Sequence, residues 1–220
     1  MSTMRPSFDR ALIELCNKAE AMFNDVYEAF ERTFDAIENN DHNLAQTVID
    51  DDVNINKSEA DINERAIRLF LKECPVASDL RLIIITIKIA YELERIGDYA
   101  KNIATYIMQN PKDTAMIRQS MLDYKPNVLS MLSSIKEAYL KRDATMAKAV
   151  SKKDDFIDQT FKSQSHQFIN LSKEETDLPT QAIYFALIAI KQFERCGDHI
   201  TNIAEHIYFL NRATFVDFNT

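Results

Sequence analysis

Oxygen-bearing side chains recur at a helical interval in two places. In Glu94-Arg95-Ile96-Gly97-Asp98-Tyr99-Ala100-Lys101-Asn102-Ile103-Ala104, the residues Glu94, Asp98 and Asn102 stand four apart. One hundred residues on, Glu194-Arg195-Cys196-Gly197-Asp198-His199-Ile200-Thr201-Asn202-Ile203-Ala204 repeats the phrase, with Glu194, Asp198 and Asn202 at the same interval. Four residues advance a helix by about 400°, so each step drifts about 40° and the three side chains share one stripe. Carboxylates four apart on a helix repel by roughly 0.2–0.5 kcal/mol. A hard cation, the flanking Arg95 and Arg195, or solvation must offset that repulsion. All-oxygen ligation by carboxylates and amides suits Mg, Ca, Mn or iron rather than structural zinc.

Gly97 and Gly197 are the only two glycines in the chain. Glycine inside a helix costs about 1 kcal/mol relative to alanine. Placing it twice at equivalent points implies a need for room, where a helix or ligand comes close to the backbone. Two further acids join the argument. The apolar stripe Val48, Ile55, Ile62, Ala66, Leu69 has Asp52 where the spacing asks for an apolar side chain, and the stripe Ala147, Val150, Ile157, Phe161, Phe168, Leu171 has Asp154 in the same place. An unpaired buried carboxylate must be paired, protonated or bound to metal. The candidate metal ligands are therefore Glu94, Asp98, Asn102, Glu194, Asp198, Asn202, Asp52 and Asp154. Asp50, Asp51 and Asp155 read as a solvated face. His199 and His206 flank only the second phrase, where the first has Tyr99 and Tyr106. Histidine ligands would break the symmetry, so these read as surface or packing residues. Cys196 stands where the first phrase has Ile96 and reads as a core thiol.

The elements that carry these residues are helices. The chain has 220 residues, with 46% hydrophobic content, two glycines and five prolines, which fits an all-α fold and excludes a turn-rich all-β one. Amphipathic spacing predicts helices over about 7–39, 42–73, 78–110, 114–141 and 144–172, and a sixth from about 176–179 to 212. Asp41 caps the second, Ser78 or Asp79 the third, and Thr176, Asp177 or Pro179 opens the sixth. Cys74-Pro75 ends the second helix, and Pro126 must kink or split the fourth. The order is helix, helix, phrase-bearing helix, twice over. That is an internal duplication of a three-helix unit, 1–110 and 111–220, joined at Asn110-Pro111.

The formal net charge of -8 argues against nucleic acid as a partner, because phosphate binding needs clustered Lys and Arg. Cys16, Cys74 and Cys196 are widely spaced, which suits reduced thiols in a cytoplasmic setting. Met1 to Arg10 lacks the apolar core of a signal peptide, and the run Leu82–Ala90 is too short to span a membrane. No phosphate-binding loop, nucleophile elbow or Glu-x-x-His pair occurs; the last absence weakens a di-iron enzyme.

The doubled Glu-Arg-x-x-Asp, each followed by Asn-Ile-Ala, resembles the PhoU family of phosphate-transport accessory proteins. So do Val48-Ile49-Asp50-Asp51-Asp52 and Cys74-Pro75-Val76-Ala77-Ser78-Asp79-Leu80-Arg81. The resemblance spans nearly the whole chain. It implies two three-helix bundles, commonly as a homodimer. It implies divalent or trivalent metal ions at the motif residues, iron first, with Mg, Mn, Ca or Zn as alternatives. It implies a cytoplasmic, non-enzymatic regulator that restrains phosphate uptake and signalling. Its partners would be the ATPase of the phosphate ABC transporter and the sensor kinase of the phosphate regulon. Thr105 stands where the second copy has Glu205, which marks the first site as the weaker metal binder. A helical-bundle metalloenzyme and a metal-free helical adaptor are the rival readings.

Overall fold

A computed structural model describes residues 6–72, 75–111, 114–172 and 179–218. Among them every regular element is a helix. The helices are α1 Pro6–Asn39, α2 His42–Lys72, α3 Ala77–Gln109, α4 Ala115–Leu122, α5 Lys125–Lys141, α6 Ala144–Ser151, α7 Asp154–Leu171 and α8 Thr180–Arg212. The six expected segments are all present, and two of them are broken.

The first break is the one expected at Pro126. The proline lies in the first turn of α5, where its missing N–H deprives the helix of nothing. The second break was not foreseen. The expected helix over 144–172 stops at Ser151 and resumes at Asp154. Between them Lys153 N–H donates to the Val150 carbonyl at 2.9 Å, a tighter turn than the α-helix makes. The Lys153 ammonium then reaches Ser130 and Ser134 of α5, at 2.9 and 3.1 Å. The break leaves Asp154 as the first residue of α7.

Local chemistry sets most of the other ends. Asn40 turns left-handed at φ 50° and closes α1. Asp41 accepts from the Leu44 N–H at 3.0 Å, as an N-cap should. Thr114 caps α4 and Asp143 caps α6 in the same way. The expected caps Ser78 and Asp79 lie inside α3 instead; Val76 takes the cap position with no side-chain bond. Pro179 precedes α8, whereas Thr176, Asp177 and Cys74 fall outside the described residues.

Helices α1, α2 and α3 pack on one another, and α8 packs against α5, α6 and α7. The phrase-bearing helices α3 and α8 lie side by side and join the two sets. They run antiparallel: Arg81 bonds the Leu210 carbonyl, Tyr99 meets His199, and Asn102 meets Gln192. Helix α1 also touches α5. At that side Phe193 of α8 is stacked between Phe34 and Tyr124, with ring centroids 5.4 and 4.7 Å away. Each such buried ring contributes about 1.5–3 kcal/mol through burial alone. The duplicated helices thus share one apolar core, and α3 and α8 are fixed in register across it.

Candidate functional site

The glycines are explained by what α2 and α7 press against them. A methyl group on Gly97 would meet Ile55 of α2 at 3.0 and 3.1 Å. On Gly197 it would lie 2.0 Å from a carboxylate oxygen of Asp154. In the first copy the space is taken by an apolar side chain. In the second it is taken by the candidate ligand itself.

Asp52 and Asp154 both point inward, 4% and 8% exposed. Asp52 accepts from Asn56 at 3.3 Å and from the Lys101 ammonium at 2.7 Å. Lys101 also lies 3.8 Å from Asp98. Arg95 grips Glu94 with two bonds, at 2.6 and 2.8 Å, and Asp98 at 2.9 Å. The first cluster of acids therefore carries its own cations. Beside it, between α1 and α2, lies a cavity of about 220 Å³ whose wall includes Asp25, Glu28, Arg32, Asp51, Asp52 and Gly97. Arg32 pairs with Asp51 across it at 2.6 Å. Asp25 and Glu28 were not found from the sequence, because they sit on the ordinary polar edge of α1.

The second cluster is built from the same positions with fewer cations. Among the described residues Asp154 accepts only from the Thr201 hydroxyl, at 3.2 Å, and its other oxygen is buried without a partner. Glu194 binds Lys191 through one oxygen and leaves the other buried and unbonded. Burial, then the charges of Asp198, Asp158 and Glu194, push the Asp154 carboxyl up to about 7. Asp198 is raised by burial and by Glu194 and Asp158. Asp98 is likewise raised, by burial first and then Glu94 and Asp52, with Arg95 and Lys101 opposing. As placed, no three His, Cys, Asp or Glu side chains among the described residues converge on a single point.

Asn102 and Asn202, at the edge of the stripe, also meet the other phrase helix. Two steps of about 40° carry each asparagine about 80° around its helix from the first glutamate, onto the side that meets the other phrase helix. There Asn102 donates to Gln192 at 3.2 Å and Asn202 donates to Glu92 at 3.3 Å. The two bonds are related by the antiparallel pairing of α3 and α8. Both bonds are made by the amide nitrogen of the asparagine.

The same joint gives the histidines a packing role with specific partners. His199 lies between the Tyr99 hydroxyl, at 2.9 Å, and Glu92, at 2.5 Å; His206 stands 3.7 Å from Glu92. Burial raises the Glu92 carboxyl, but bonds from His199, His206 and Asn202, with the His199 charge, outweigh it and hold the group at about 2. Glu92 was missed. The signal was available: positions 92 and 192 are one hundred apart, like the phrases, and hold Glu and Gln, two acceptors. Glu205, expected to strengthen the second site, instead accepts from the Phe218 N–H at 2.8 Å in the tail. Cys196 is fully buried, and burial followed by Asp154 and Asp198 raises its thiol well above the ordinary range, which fits a core thiol.

An antiparallel pair of glycine-bearing acidic helices, each embedded in a three-helix set, defines a duplicated all-α module. The family model described as "PhoU domain" matches residues 12–107 and 122–207, and the chain belongs to that family. It is 32% identical over 217 residues to "Phosphate-specific transport system accessory protein PhoU homolog" of Clostridium acetobutylicum, covering 98% of this chain and 99% of that protein. It is 29% identical over 204 residues to the PhoU accessory protein of Escherichia coli, covering 92% of this chain and 84% of that one. The crystal structure of PhoU from Pseudomonas aeruginosa superposes with a TM-score of 0.89 at 29% identity, over 94% of this chain and 100% of that one. That of the phosphate transport system regulatory protein PhoU from Streptococcus pneumoniae gives 0.86 at 28% identity, over 96% and 99%. Among the described residues no helix is long and apolar enough to cross a membrane.

Proposed function

We propose that this chain is a non-enzymatic regulator of phosphate homeostasis. It restrains phosphate uptake and phosphate-responsive signalling through protein contacts, in the cytoplasm and as a homodimer. Its partners are the ATPase of the phosphate ABC transporter and the sensor kinase of the phosphate regulon. Metal ions bind at the phrase sites and fix one face for docking. The observation that carries this reading is the likeness over 98% of the chain to an accessory protein of phosphate-specific transport. Nucleic acid is not among the partners, given the net charge of -8.

The residues present fit a hard cation. Asp154 and Glu194 each keep a buried oxygen with no partner, beside Asp198. A bound iron, manganese or magnesium ion supplies fixed positive charge there. Asp52, Glu94 and Asp98 would form the equivalent set in the first copy. Asn102 and Asn202, whose amide nitrogens bond across the joint between α3 and α8, would add their amide oxygens.

Deleting the gene in its native cell tests the role. Phosphate uptake and phosphate-repressed transcripts should rise in phosphate-rich medium, and the intact chain should restore repression. Unchanged uptake and transcripts would refute the regulatory reading. Asp98→Ala with Asp198→Ala should lower bound metal while circular dichroism shows the helices intact; unchanged metal content would remove both residues from the sites.

A further inference from the structure

The duplication lets the two sites be compared position by position. Position 52 matches 154, 98 matches 198, and 101 matches 201. In the first copy position 101 is a lysine whose ammonium sits 2.7 Å from Asp52 and 3.8 Å from Asp98. In the second, position 201 is a threonine, 1% exposed, that gives Asp154 one hydroxyl bond at 3.2 Å. A buried carboxylate needs a cation or a proton. Asp52 has its cation covalently tethered on the next helix. Each of the two aspartates keeps one oxygen buried without a partner, so the difference lies in the cation: Asp154 has Thr201 where Asp52 has Lys101, and the nearby acids are Asp158, Glu194 and Asp198. Of the cations near that group, Lys191 is engaged with Glu194 and His199 with Glu92.

Arginines widen the difference. Arg95 folds back onto Glu94 and Asp98, whereas Arg195 is exposed. A metal entering the first site would have to displace the Lys101 ammonium from Asp52, whereas position 201 offers no such competitor. A metal entering the second displaces only a proton or water. The outer acids of the first cavity, Asp25, Glu28 and Asp51, face Arg32, so that rim is also partly compensated.

We propose that the two sites are not equivalent: the Lys101 ammonium is the resident cation of the first, and the second, where Thr201 replaces it, is the one that takes a metal ion. This rests on the metal-binding part of the function proposed above. It converts a symmetric duplication into a chain with one site held by its own ammonium and one responsive to metal supply.

The test is metal content with Mn2+ as the probe, loaded in excess, desalted and measured by elemental analysis, with electron paramagnetic resonance to report bound Mn2+. Four proteins are compared: wild type, Asp52→Asn, Asp154→Asn and Lys101→Thr. The asparagine variants keep side-chain shape, and the threonine is the residue found at the matching position. Asp154→Asn should lose most bound Mn2+, Asp52→Asn should keep it, and Lys101→Thr should about double it by opening the first site. Equal losses in the two asparagine variants, or no gain in Lys101→Thr, would overturn the inequality while leaving metal binding itself in place. No bound Mn2+ in any of the four, Lys101→Thr included, would overturn the metal reading and this inference with it. Circular dichroism on each variant separates lost binding from lost fold.

Discussion

Asp154→Asn should stabilise the metal-free protein at pH 8 and should do so less and less as the pH falls. An aspartate in an unfolded chain titrates near about 3.9. In the folded chain Asp154 is pushed up to about 7, by burial first and then by Asp198, Asp158 and Glu194, with the Thr201 hydroxyl bond opposing. The folded state therefore holds this proton more tightly than the unfolded one. The resulting stability is complete below about pH 4 and is lost as the pH rises through about 7. Three units correspond to about 4 kcal/mol between those limits. Between about pH 6 and pH 8 the loss from this one group is about 1.4 kcal/mol. Asparagine keeps the shape, accepts the Thr201 bond and has no proton to lose. Urea unfolding in strong chelator across that range should show wild type falling by this amount relative to Asp154→Asn, with exposed Asp155→Asn behaving as wild type. Parallel pH profiles for wild type and Asp154→Asn would refute the account of Asp154 as a buried acid without a cation.

Gly197→Ala should affect metal content more than stability, because the new methyl would meet the end of the Asp154 side chain, which can rotate away and leave the site; elemental analysis beside thermal unfolding checks this. Gly97→Ala meets Ile55 and should change stability by less than about 1 kcal/mol, the helix-propensity gain offsetting the squeeze. Glu92→Gln should cost about 1–3 kcal/mol near neutral pH. Since Glu92 is held at about 2, that difference should be present above the ordinary carboxylate range and vanish as pH falls through about 2; acid unfolding of the two proteins measures it. Phe193→Ala removes the ring stacked between Phe34 and Tyr124 and should cost about 3–5 kcal/mol in urea unfolding.

Much of the architecture was legible because it is written twice. The recurring phrases mark α3 and α8, and the apolar stripes mark α2 and the α6–α7 segment. The gaps in those stripes pointed to Asp52 and Asp154, which are buried against the phrase helices. What stayed hidden depends on how helices cross. Asn102 and Asn202 lie on the carboxylate stripe when one helix is drawn alone, and only the neighbour draws them to Gln192 and Glu92. Glu92 looks like any polar residue of α3 until α8 sets two histidines beside it. The break at Lys152-Lys153 has no proline or glycine to announce it; two serines on α5 hold the turn.

The joint between α3 and α8 also constrains which units can pair. Its antiparallel pairing has the local symmetry of a dimer of identical pieces, yet the matched residues have diverged into complements: Glu92 opposite Asn202 and His199, Gln192 opposite Asn102. Two copies of the second unit would set His199 against His199, and two copies of the first would forgo both histidines that hold Glu92. The joint is therefore heterotypic, and the covalent link keeps its two unlike halves at fixed one-to-one dosage.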